Sequence, residues 1–143
     1  MKKFVKLNYS VIFRLSGWLL AIDSIFMLIA VTGGYLQDGD FMSSFFIISL
    51  STAIIGISLA KSLKPKKETL TLHDALFLTA FTWISFSMAG AIPFLFGNHA
   101  ISFVDAFFES SSGYTSTGAS VIQDVESLPS ALLLWRSITQ WVG

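Results

Sequence analysis

The chain is 143 residues long, with 53% hydrophobic and 13% charged residues, zero formal net charge and a mean hydropathy of +0.69. A soluble domain carries about 25% charged residues, so too little charge is present to cover a water-facing surface, and disorder is excluded on the same ground. Zero cysteines exclude a disulfide scaffold, thiolate metal sites and cysteine nucleophiles, and the balanced charge leaves no broad field to attract nucleic acid.

Lipid is the solvent that suits fourteen phenylalanines. A transmembrane helix needs about 20 mostly apolar residues, and three segments supply them: Val11 to Leu36, Phe41 to Leu59, and Ala75 to Phe96. The first is longer than the roughly 7–15 apolar residues of a cleaved signal and has no small-x-small site close behind it, so it is expected to be retained. Lys2, Lys3, Lys6 and Arg14 precede or open the first span, Asp38 and Asp40 fill the turn after it, and Lys61, Lys64, Lys66 and Lys67 follow the second. The excess of lysine predicts a cytoplasmic N-terminus, an external Asp38 turn, a cytoplasmic lysine loop and an external Asn98-His99. Gly33, Gly34 and Gly39 punctuate the outer turn and Pro65 the inner one. Pro93 marks a kink or end of the third span. Gly17, Gly56 and Gly90 read as packing positions, and His73-Asp74 as a solvated helix start.

After Phe96 the pattern changes. Gly97 to Ala100 is a loop, and Ser102 followed three residues later by Asp105 has the form of a capping box. Phe103, Ala106 and Phe107 then recur at helical spacing. About ten residues at 1.5 Å each reach roughly 15 Å, half the bilayer core. The segment runs into Ser111 to Ser120, with two glycines and no apolar period, then a polar stretch from Val121 to Pro129, and Ala131 onward opens another apolar helix. Non-helical backbone at membrane depth is tolerated only when it is buried in protein or lines a watery cavity, and exposed carbonyls there can replace an ion's hydration shell.

Other readings of that loop compete. Gly113-x-x-x-x-Gly118 has the spacing of a phosphate loop, but Ala119 and Ser120 stand where Lys and Ser/Thr are required, and no strand precedes it. Ser112-Gly113 suits an intramembrane serine protease only if a histidine reaches it, and His73 and His99 both lie at span ends. A plain polar turn between helices stays open. Asp23, inside the first span, is an ion relay or, as the favoured reading, one end of an interhelical hydrogen bond or a protonated acid. Glu109 adds negative potential near a cation path or bonds to backbone donors, with Arg136 a possible partner.

The stretch Asp105-Ala-Phe-Phe-Glu-Ser-Ser-Ser-Gly-Tyr-Thr-Ser-Thr-Gly-Ala-Ser120, with Leu128-Pro129 and Trp135-Arg136 through Gln140-Trp141-Val142-Gly143, resembles one family from end to end. It is similar to the first pore repeat of the TrkH-type subunit of bacterial Trk potassium uptake systems, in the Trk/Ktr/HKT superfamily. The resemblance implies two extra N-terminal helices before four repeats, each made of a helix, a half-spanning pore helix with a filter loop, and a second helix. It implies potassium held by filter carbonyls, homodimerisation of the full-length subunit and gating by a cytosolic nucleotide-binding subunit of the TrkA type. Residues 1–67 then hold the extra helices and the lysine loop, and residues 68–143 an incomplete first repeat. The pore helix maps to Ser102–Ser112, and the potassium-binding filter backbone to Thr115, Ser116, Thr117 and Gly118. Ser116 stands where the family commonly has threonine, a change expected to matter little if main-chain oxygens bind the ion.

The expected fold is therefore all-α integral membrane, with three transmembrane helices, a re-entrant pore helix and filter loop, and the start of a fourth span. The expected function is potassium transport across the inner membrane as one of four filter segments, with the lipid bilayer and the remaining repeats as partners, no cofactor and no enzymatic activity. The alternative is a membrane-embedded structural or accessory protein without a pore. The chain is expected to be an N-terminal fragment or a truncated product.

Overall fold

The structure, a computed structural model, describes residues 7–34, 40–63 and 69–143. Its elements are all helical: α1 (Tyr9–Gly34), α2 (Asp40–Ser62), α3 (Leu72–Ala91) with a 3₁₀ turn over Ile92–Leu95, α4 (Phe103–Tyr114), a second 3₁₀ turn over Val125–Ser127, and α5 (Ser130–Val142). Three helical stretches, Tyr9–Gly34, Ser43–Ser62 and Leu72–Leu95, are long and apolar enough to cross a membrane. They coincide with the three expected spans. Lys2, Lys3, Lys6, Leu36, Asp38, Gly39, Lys64, Pro65, Lys66 and Lys67 lie outside the described residues.

Helices α1 and α2 meet backbone to backbone. A Cβ on Gly17 would sit 2.6 Å from both the Ala60 nitrogen and the Gly56 oxygen, and one on Gly56 would sit 2.8 Å from the Ala21 nitrogen and the Gly17 oxygen. Each helix thus offers a small residue four positions from its glycine, the pattern that lets membrane helices approach closely. Gly90 plays the same part between α3 and α4: a Cβ there would be 2.6 Å from Ser110 Oγ and 2.8 Å from Tyr114 Cε2. All three glycines are packing positions, as their sequence setting suggests.

The start of α3 departs from expectation. Asp74 is buried rather than solvated. Its Oδ2 accepts from the Thr71 backbone N–H at 2.9 Å while Thr71 Oγ1 accepts from the Asp74 N–H at 3.3 Å, a complete capping box. Its Oδ1 accepts from the Asn8 N–H at 2.8 Å, tying the start of α1 to the start of α3. Pro93 falls in the 3₁₀ turn that closes α3, where a missing N–H costs least.

The core lies where α1, α4 and α5 converge. Trp135, Tyr114, Phe45, Met27 and Leu132 are its largest fully buried apolar side chains. The Trp135 ring meets Phe45 at 6.2 Å and Tyr114 at 6.3 Å between centroids, both edge-on. Its indole N–H donates to the Gly90 carbonyl at 3.1 Å, so the one polar atom of the ring is satisfied.

Candidate functional site: the loop after α4

Helix α4 is 12 residues long, about 18 Å at 1.5 Å per residue, too short to cross a bilayer. Ser102 caps it, its Oγ accepting from the Asp105 N–H at 3.2 Å. The expected box is only half formed. The Asp105 carboxylate accepts from the Ser102 hydroxyl at 2.8 Å, and no return bond to the Ser102 backbone is recorded among the described residues. The helix also continues to Tyr114, two residues beyond the expected Ser112, because Gly113 and Tyr114 pack against Thr139 of α5 and Gly90 of α3.

The four expected site residues follow directly, and all are exposed. Their backbone N–H groups fold back onto α4. Thr115 donates to the Ser111 carbonyl at 3.0 Å, Ser116 to Gly113 at 2.8 Å, and Thr117 and Gly118 to Ser112 at 2.9 and 3.4 Å. The carbonyl oxygens of Thr115, Ser116, Thr117 and Gly118 meet no hydrogen-bond donor among the described residues. Two of the residues hold left-handed backbone, Ser116 at φ 53° and Gly118 at φ 73°. Gly118 reaches this region without side-chain cost. Ser116 is the departure: a non-glycine residue with positive φ, which its sequence setting did not announce. The side chains, in contrast, are engaged. Thr115 Oγ1 donates to the Ser111 carbonyl at 2.8 Å and lies 2.8 Å from Thr117 Oγ1, while Ser116 Oγ donates to the Gln140 carbonyl at 3.2 Å.

The chain leaving the loop is fastened to the same helix. Ser112 Oγ donates to the Ala119 carbonyl at 2.7 Å. Glu109 Oε1 accepts from Ser120 Oγ and the Val121 N–H, each at 2.7 Å. Arg136 of α5 pairs with Glu109 Oε2, and the Glu109 side chain is only 1% exposed. Both partners suggested for Glu109, backbone donors and Arg136, are therefore present together. A buried charge pair of this kind is stable only when its remaining lone pairs are also satisfied, which Ser120 and Val121 accomplish. Entry and exit of the loop thus hang on one short helix. The favoured reading of Asp23 also holds: its Oδ1 accepts from Tyr114 Oη at 2.7 Å, an interhelical bond between α1 and α4.

Chemically, the loop offers consecutive oxygen acceptors and no charge of its own, at the C-terminal end of a helix where the peptide dipoles favour a cation. Such oxygens suit a hard, monovalent cation that must be released again.

A family model, TrkH (cation transport protein), matches residues 42–143. An uncharacterised cation transporter of Methanocaldococcus jannaschii is 35% identical over 142 residues, covering 99% of this chain and 29% of the relative. The Trk system potassium uptake protein TrkH of Vibrio parahaemolyticus is 34% identical over 142 residues, covering 96% of this chain and 28% of its own length. The crystal structure of the potassium transporter TrkH from Vibrio parahaemolyticus superposes with a TM-score of 0.87 at 31% identity, covering 95% of this chain and 29% of that one. The chain thus spans less than a third of the length of the curated relatives it matches. Matched by the family model over most of its residues and sharing this helical arrangement, the chain belongs to the TrkH family of cation transport proteins.

Proposed function

We propose that residues 115–118 form one of four selectivity-filter segments in a potassium-conducting pore subunit, with α4 as the re-entrant pore helix that presents them. Residues 1–67 then supply two helices outside the pore repeats, residues 68–143 supply most of the first repeat, and α5 begins that repeat's second helix. The observation that carries this reading is the backbone of the loop: its N–H groups are turned onto α4 and its carbonyl oxygens are left without donors. A single segment gives at most part of a coordination shell, so three further segments complete the site. In the cell, this subunit resides in the bacterial inner membrane with its N-terminus in the cytoplasm, forms a homodimer and is gated by a TrkA-type nucleotide-binding partner. The relatives' names support potassium as the cargo.

The test is Gly118→Ser in the full-length subunit. At φ 73° a side chain strains the backbone and shifts the neighbouring carbonyls. Discrimination between similar cations rests on small energies, since about 1.4 kcal/mol is tenfold. The variant should insert normally and lose several-fold in potassium over sodium flux at matched expression. Unchanged selectivity would exclude this loop as a filter.

A further inference from the structure

Asp23 is a carboxyl at the middle of an apolar span, and only 1% of it is exposed. One of its oxygens accepts from Tyr114 Oη at 2.7 Å, while the other, Oδ2, has no hydrogen-bond partner among the described residues. A buried carboxyl at membrane depth is costly, and one of the two oxygens of this one meets no donor among the described residues. A Leu facing a Phe would fill the same space without that cost, so packing alone does not account for the pair.

Tyr114 is itself 1% exposed and is the last residue of α4, immediately before Thr115. Its ring lies 5.3 Å from Phe86 and 6.3 Å from Trp135 between centroids. The missing side chain of Gly90 makes room for it, since a Cβ there would be 3.3 Å from the phenol oxygen. The ring is thus held from α3 and α5, and its hydroxyl from α1. We propose that Asp23 is a positioning residue for the loop: through the Tyr114 phenol it fixes the end of α4 from which Thr115 to Gly118 depart. An N-terminal helix outside the pore repeats thereby sets the geometry of the ion-binding carbonyls. The inference rests on the filter reading above.

The experiment compares the full-length subunit carrying Tyr114→Phe, Asp23→Leu, Asp23→Asn or the double change Asp23→Leu/Tyr114→Phe, reconstituted in vesicles. The readout is the ratio of potassium to sodium flux per molecule, which a merely structural role would leave unchanged while lowering yield. Tyr114→Phe and Asp23→Leu should each lower the ratio by about three- to tenfold, the scale of one lost hydrogen bond. Asp23→Asn keeps an acceptor oxygen and should hold the wild-type ratio. The double variant should match the single ones rather than multiply them, because both remove the same bond. If Asp23→Leu does not accumulate, Tyr114→Phe, which keeps the ring and its packing, carries the test by itself. Wild-type ratios in the single variants, beside a shifted ratio in Gly118→Ser, overturn the role of Asp23 alone. So does an Asp23→Asn protein as impaired as Asp23→Leu. A wild-type subunit without potassium flux overturns the filter reading and this inference together.

Discussion

At Ser116 the backbone turns to φ 53° while the hydroxyl reaches the Gln140 carbonyl at 3.2 Å. A serine is already strained in the left-handed region, and a β-branched residue is an outlier there. Ser116→Thr keeps the hydroxyl and adds one β-methyl, so it isolates the backbone constraint. Despite a main-chain oxygen of unchanged chemistry, the substitution should therefore not be silent: it should cost about 1 kcal/mol of stability, read as a lower thermal midpoint in detergent. Equal midpoints for the two proteins would mean that the loop relaxes to another backbone conformation. The neighbouring hydroxyls of Thr115 and Thr117 are bound to each other, and Thr115 Oγ1 also donates to the Ser111 carbonyl.

Among the elements, α1 and α2 cross main chain against main chain. Gly17 and Gly56 face each other with backbone atoms of the opposite helix within 3 Å of the place a Cβ would take. No rotamer relieves such a clash, because the obstructing atoms belong to the main chain. Gly17→Val should push the helices apart and cost about 1–3 kcal/mol. The control is Ile25→Val, at a position 56% exposed on the outer side of the same helix, which should be close to neutral. Thermal unfolding of the two variants in the same detergent decides it, and equal midpoints would show that α1 and α2 do not pack through their glycines. The α4–α5 contact has a different character, since Glu109 and Arg136 add a charge-assisted bond to the packing of Gly113 on Thr139.

For the whole molecule, the exposed faces are as informative as the core. Ile25, Ile47, Ile55, Leu76 and Ile84 are all more than half exposed on helices long enough to span. In water such surfaces would aggregate; in a bilayer they are the ordinary outer face of a multi-pass protein. The expected orientation rests on Lys2, Lys3 and Lys6 before α1 and on Lys61, Lys64, Lys66 and Lys67 at the end of α2 and after it. A reporter fused after Lys67 should therefore be cytoplasmic and one fused after Asn98 external. Protease accessibility of the two tags in intact spheroplasts measures this, and a shared side would remove α3 as a span.

Periodicity, span length and loop chemistry are local, and they were enough to place α1, α2, α3, the short α4 and the start of α5 within a few residues. The stretch from Asp105 to Ser120 was legible as a short apolar helix running into a glycine-bearing polar loop, and α4 and the loop after it have that form. Asp74 could not be read as buried, because its burial depends on Asn8, which arrives from the far end of the chain. Ser116 could not be read as left-handed, because its conformation follows from N–H groups turning back onto α4 and from a carbonyl on α5. Asp23 was visible as an ionisable residue at membrane depth, and its partner was not: Tyr114 lies 91 residues away, and only the packing of α1, α3 and α5 around one ring brings the two together. Sequence by itself determined which three segments are long and apolar enough to span and where a polar loop follows the short helix. Tertiary structure decided which buried polar groups hold that loop in shape, because such groups are satisfied by neighbours in space rather than along the chain.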